Sequence, residues 1–147
     1  MMPDTDVLIV GAGPVGLVAA ARLSAAGIDC RVVEALVTAP DDLRASTFHP
    51  PTLEMLDAMG FADDLIAAGL VSPTWQIRVH ETGERALFDL GVLAADTRYP
   101  FRLQCEQRIL CAQVEAALAG HVDIGRGVAV AGLAQDDAAV TAELADG

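Results

Sequence analysis

Lysine and asparagine are both missing from this sequence of 147 residues, so its nine basic side chains are all arginine. Against them stand 21 acids, giving a net charge of -12. A surface so poor in cations excludes nucleic acid as a partner, because a phosphate backbone is held by clustered bases. Cysteine is scarce. Cys30, Cys105 and Cys111 show no CxxC spacing, so they are expected to be reduced, buried thiols rather than a metal or redox centre. His49, His80 and His121 are scattered and offer no ligand pattern, so no metal is expected. Long apolar runs are lacking too. Residues 7–21 fall short of a membrane span and are broken by Gly11, Gly13, Pro14 and Gly16. They do not suit a secretory signal either, since Asp4 and Asp6 occupy the place of a basic n-region. The cytoplasm is the expected compartment, with no membrane partner.

What is present fits a packed α/β chain. Apolar residues make up 53% of the sequence, enough for a real core. Residues 6–10 read as a fully buried parallel strand, 14–26 as a helix closed by Gly27, and 30–34 as a second buried strand. This is a βαβ start. Residues 35–48 read as a loop, 51–59 and 61–68 as helices ended by Gly60 and Gly69. Residues 74–81 alternate Trp75, Ile77 and Val79 with polar neighbours, which predicts a half-buried strand. A turn at Thr82-Gly83 returns the chain through 85–90, giving a hairpin inserted into an otherwise doubly wound pattern. Residues 106–118 form a helix with the stripe Ile109, Leu110, Val114, Ala117, Leu118. Strands are expected at 122–124, 127–133 and 138–144, the last two paired. The terminal Asp146-Gly147 is a turn signal with no returning strand.

The chemistry lies in Gly11-Ala12-Gly13-Pro14-Val15-Gly16, a GxGxxG segment between a strand and a helix. Gly11 permits the tight turn, Gly13 admits a pyrophosphate against the backbone, and Gly16 lets helix and strand pack closely. The helix N-terminus aims N–H groups and partial positive charge at the phosphates. Pro14 and Val15 lie in that first turn. Glu34 closes the second strand, where a carboxylate accepts hydrogen bonds from ribose hydroxyls and repels a 2′-phosphate. The array announces an ADP moiety and leaves FAD and NAD both open.

Three segments extend the pattern: Glu34, then 44–56 (RASTFHPPTLEML), then Gln107-Arg108-Ile109-Leu110. Together they resemble the aromatic-ring hydroxylase family of flavoprotein monooxygenases, typified by para-hydroxybenzoate hydroxylase. The resemblance covers essentially the whole chain. It implies a Rossmann-type FAD-binding domain, with Arg44 along the cofactor near its pyrophosphate and ribityl chain. It places Gln107 at the ribityl region, with Gln104 as a rival alignment, and gives His49 no catalytic role.

The resemblance further implies NAD(P)H- and O2-dependent hydroxylation of an aromatic or polyketide ring, with the redox chemistry carried by FAD. NADH and NADPH are not distinguished, and no catalytic residue is nominated. All of 1–147 is then the N-terminal portion of the FAD-binding domain, with residues 72–100 contributing strands to the substrate-binding layer. The later Gly-Asp motif of the family is missing, so the fold is expected to be incomplete at its C-terminus. Such a chain is expected to self-associate or to await a complementing C-terminal half, and to hydroxylate nothing alone. The rival classes are a non-catalytic FAD-binding remnant and the NAD-binding domain of a dehydrogenase.

Overall fold

The computed structural model describes residues 5–40 and 45–145. Arg44 and the Asp146-Gly147 turn signal lie outside the described residues. The chain divides into two compact units: residues 1–42 with 111–147, and residues 43–110.

The first unit is built on a parallel sheet. Strand β1 (Val7–Val10) leads into helix α1 (Pro14–Ala25), which returns the chain to β2 (Cys30–Glu34). β1 and β2 pair in parallel, Val7 opposite Cys30 and Val10 opposite Val33. The third strand, β8 (Asp123–Arg126), pairs in parallel with β2, giving the order β1-β2-β8. The central strand is buried as expected, with Val32 and Val33 almost wholly enclosed. β1 is not. Its residues are half-buried, and Val10 is 59% exposed. The expectation of a fully buried first strand is therefore corrected: among the described residues β1 stands at an edge of this sheet. α1 covers the sheet through Leu17, Val18 and Ala20. Its last turn closes on Gly27 at φ +74°, a left-handed conformation that glycine adopts without a Cβ clash.

The unit ends in a two-stranded antiparallel sheet of β9 (Val130–Gln135) and β10 (Val140–Leu144). The pairing read from the sequence is present, with Leu144 opposite Val130.

The second unit holds β3 (Thr47–Phe48), α2 (Pro50–Asp57), α3 (Ala62–Ala68), β4 (Leu70–Ser72), β5 (Thr74–Arg78), β6 (Arg85–Asp89), a 3-10 turn (Leu90–Leu93) and β7 (Arg102–Gln104). β7 is the centre of a three-stranded antiparallel sheet in the order β3-β7-β4. Its core collects Phe48, Leu53, Leu56, Leu65 and Leu103. Helix α4 (Gln107–Leu118) runs across the division of the chain at residues 110 and 111. Of its expected stripe, Leu110, Val114 and Leu118 are buried and Ile109 half-buried, whereas Ala117 is exposed. The buried residues fall at i, i+4 and i+8, and Ala117 lies to the side of that row.

The β5–β6 hairpin forms as expected, turning at Gly83 with φ +71°. Trp75 stacks on its cross-strand partner Phe88 at 4.1 Å between centroids. The hairpin is far more exposed than a half-buried strand, with Ile77, Val79, Leu87 and Phe88 all at the surface. Among the described residues it pairs with no third strand, and the Arg102 guanidinium lies over the Trp75 ring at 5.4 Å.

Candidate functional site

The carboxyl ends of β1 and β2 bring the glycine segment and Glu34 together. Gly11 follows β1 with φ +109°, which a side chain would strain, and its N–H donates to Val33 O at 2.7 Å. The chain is thereby turned sharply out of the sheet. Gly13 is the N-cap of α1, and Pro14 opens the first turn with its φ already helical. No side chain caps this terminus and its first turn carries no acid. The leading N–H groups of a helix have no partner inside the helix, so the terminus presents donors and partial positive charge.

The three glycines differ in their surroundings. A Cβ on Gly16 would lie 2.0 Å from Gly11 O and 3.2 Å from Ile9 Cγ2. Gly16 is therefore a packing glycine that lets α1 sit against β1. A Cβ on Gly13 would meet nothing within 4 Å. Its absence serves no contact within the protein and instead leaves the loop surface open to a ligand. That open space beside uncapped helix N–H groups fits a pyrophosphate.

Glu34 closes the other side. Its Oε2 accepts the Ala12 N–H at 2.8 Å and its Oε1 accepts the Leu36 N–H at 2.9 Å. The Leu36 N–H, with help from the Ala12 N–H and the Arg126 charge, holds the carboxyl below the usual carboxylate range, against partial desolvation. A carboxylate offers about four acceptor positions, so these backbone N–H groups do not exhaust it. Apolar side chains stand exposed around this mouth: Val10, Val15, Leu36 and Val37.

Arg126 carries no motif in the sequence, where the strand reading ends at Ile124. The strand runs on to Arg126, and Gly127 at φ +75° ends it. A Gly-Arg-Gly segment hides the strand pattern, although the second glycine marks its end.

In the second unit, Gln107 opens α4, and its N–H donates to Ala45 O at 3.0 Å. The rival Gln104 sits in β7, where its Oε1 accepts the Thr47 hydroxyl at 3.0 Å. His49 is the exposed N-cap residue of α2. Cys30 and Cys105 are buried and Cys111 half-buried, all as free thiols, and burial pushes each thiol up.

Residues 4–147 match the family model described as FAD binding domain. The 6-hydroxy-3-succinoylpyridine 3-monooxygenase HspB of Pseudomonas putida is 40% identical over 114 residues, 75% of this chain and 29% of that protein. The crystal structure of p-nitrophenol 4-monooxygenase PnpA from Pseudomonas putida superposes with a TM-score of 0.86 at 35% identity, covering 93% of this chain and 35% of that one. Aklavinone-11 hydroxylase, solved in a ternary complex with FAD and aklavinone, gives a TM-score of 0.80 at 27% identity over 98% of this chain and 30% of that one. The chain thus spans about a third or less of the length of these relatives.

Proposed function

This chain belongs to the FAD-binding domain family of aromatic-ring monooxygenases, and on that premise we propose that its first unit holds the ADP half of FAD. The observation that carries the proposal is the 2.8 Å hydrogen bond from the Ala12 N–H to Glu34. It ties the loop around the open space at Gly13 to the acid that would take the ribose, so both subsites would share one corner of the sheet. Gly11, Gly13, Pro14, Val15 and Gly16 would line the pyrophosphate, with backbone N–H groups as donors. Glu34 would accept the ribose hydroxyls through the acceptor positions its loop contacts leave over.

The remaining assignments follow family membership. Arg44 would lie along the pyrophosphate and ribityl chain, and Gln107 would reach the ribityl region. Gln104 is committed to Thr47, which favours Gln107. Residues 72–100 would contribute strands to the substrate-binding layer. When bound, FAD supplies the redox chemistry of an NAD(P)H- and O2-dependent monooxygenase acting on a small aromatic or polyketide ring. The protein containing this domain would work in the cytoplasm. Its relatives act on compounds of that class: a succinoylpyridine, a nitrophenol and aklavinone.

The test is flavin retention. Purified wild-type chain mixed with FAD and passed through a desalting column should keep the blue absorption of bound flavin, and NAD should not compete for it. Gly13→Val should give folded protein, because its Cβ meets nothing within 4 Å, yet lose the flavin. A Gly13→Val chain that retains flavin as well as wild type would rule out the loop as the phosphate cradle.

A further inference from the structure

The Glu34 carboxylate has a charged neighbour that the nucleotide motif does not include. In the parallel ladder between β2 and β8, Glu34 is the register partner of Arg126. Backbones of adjacent strands run about 4.8 Å apart, and register partners send their side chains to the same face. Arg126 is held in place. Its Nε donates to Glu115 Oε1 at 3.1 Å and its Nη2 to Glu115 Oε2 at 2.6 Å. This two-point pairing fixes the plane of the guanidinium. The side chains of Arg126 and Glu115 are only 21% and 35% exposed. The chain beyond Arg126 continues against the same corner: the Val128 N–H donates to Glu34 O at 2.9 Å and the Gly127 N–H to Leu36 O at 3.2 Å.

The other end of the ladder provides an internal contrast. Arg31 and Asp123 are also register partners and pair at 2.8 Å, but their side chains are 48% and 65% exposed. That pair is an ordinary surface ion pair, free to exchange with water. Arg126 differs because its own acid partner comes from helix α4 and because it stands beside the acid at the nucleotide corner.

We propose that Arg126, clamped by Glu115 at the register position beside Glu34, is a positioning residue in the sense that it holds a fixed positive charge there and favours the ionised carboxylate that would meet the adenosine ribose of FAD, while the Ala12 and Leu36 N–H groups set that carboxylate's orientation. The proposal rests on the ADP-site reading of the glycine loop and Glu34. Arg126 is the charged group that acts on Glu34 from the elements packed around it; Glu115 and Cys111 of α4 act on Arg126, and the glycine loop carries no charged side chain. With the Leu36 and Ala12 N–H groups, Arg126 helps keep Glu34 ionised. An ionised Glu34 is the acceptor the ribose needs, so affinity falls as pH drops through the carboxyl's lowered range.

Two readouts test this. Carboxyl NMR titration of the FAD-free chain, with Glu34→Gln to assign the resonance, measures the Glu34 midpoint directly. Arg126→Met should raise that midpoint, and Arg126→Lys should restore most of it. FAD titration followed by flavin fluorescence gives the second readout. Arg126→Met should bind roughly two- to fivefold more weakly near neutral pH, and its acid-side loss of affinity should begin at higher pH than in wild type. A midpoint and a pH profile both unchanged in Arg126→Met would overturn the proposal. Failure of the wild-type chain to bind FAD would count against the ADP-site reading alone, because the NMR midpoint reports on Arg126 and Glu34 without cofactor.

Discussion

The glycine corner of the first unit and the β5–β6 hairpin of the second are both short, locally encoded motifs, but they differ in how their needs are met. At the glycine corner, contacts within about 30 residues account for most of the geometry. Gly16 packs on Gly11, Gly11 bonds Val33, and Glu34 bonds Ala12 and Leu36. What is left open there is the space at Gly13 and the remaining acceptor positions of Glu34. In the hairpin, the turn and the Trp75–Phe88 stack are complete, while Ile77, Val79 and Leu87 stand in solvent. The corner satisfies itself except at the space beside Gly13 and at Glu34. A hairpin with uncovered apolar side chains draws little of its stability from them.

The largest effect is expected at Gly16. A Cβ there would sit 2.0 Å from a backbone oxygen, and neither partner is the end of a flexible side chain. Gly16→Val should cost at least about 3 kcal/mol, the upper range for overpacking, lowering the melting temperature by roughly 6–12 °C for a chain of this size. Thermal denaturation followed by circular dichroism measures it, and a melting temperature within a degree of wild type would contradict the packing role.

Glu34→Ala comes next. Hydrogen bonds to a charged group contribute about 1.5–3 kcal/mol, so FAD affinity should fall roughly 10- to 100-fold. The same substitution removes the carboxylate that accepts the Ala12 N–H, so some loss should appear in stability too. Calorimetric titration separates the two, and an unchanged dissociation constant would show that Glu34 serves the loop alone. The smallest effect is expected in the hairpin. Leu87 is 65% exposed, so Leu87→Thr should change stability by no more than about 0.5 kcal/mol. A drop of several degrees in melting temperature would mean that the hairpin face is covered in solution.

The sequence was most legible where local rules were strong. The strand, glycine turn, helix, strand and acid of residues 7–34 could be placed because each step has its own steric demand. The hairpin turn at Gly83 and the pairing of β9 with β10 were legible from alternation and turn residues. β3, β4 and β7 were not. They are two or three residues long, too short to show a period, and their order depends on partners up to 57 residues away, as in the Thr47–Gln104 pairing. Burial of β1 was overstated because an apolar run looks the same in a central strand and in an edge strand. Arg126 escaped notice because glycines flank it. Its importance comes from register with Glu34 and from Glu115 on a helix, and neither relation is visible along the chain.

The central claim is that FAD is held by its ADP half. The most direct measurement is displacement of FAD from the wild-type chain, followed by flavin fluorescence, with ADP and with riboflavin 5′-phosphate as competitors. ADP should displace FAD in a saturable way and lose that ability in Glu34→Ala, while riboflavin 5′-phosphate at the same concentration should displace little. Displacement by riboflavin 5′-phosphate with none by ADP would contradict the claim.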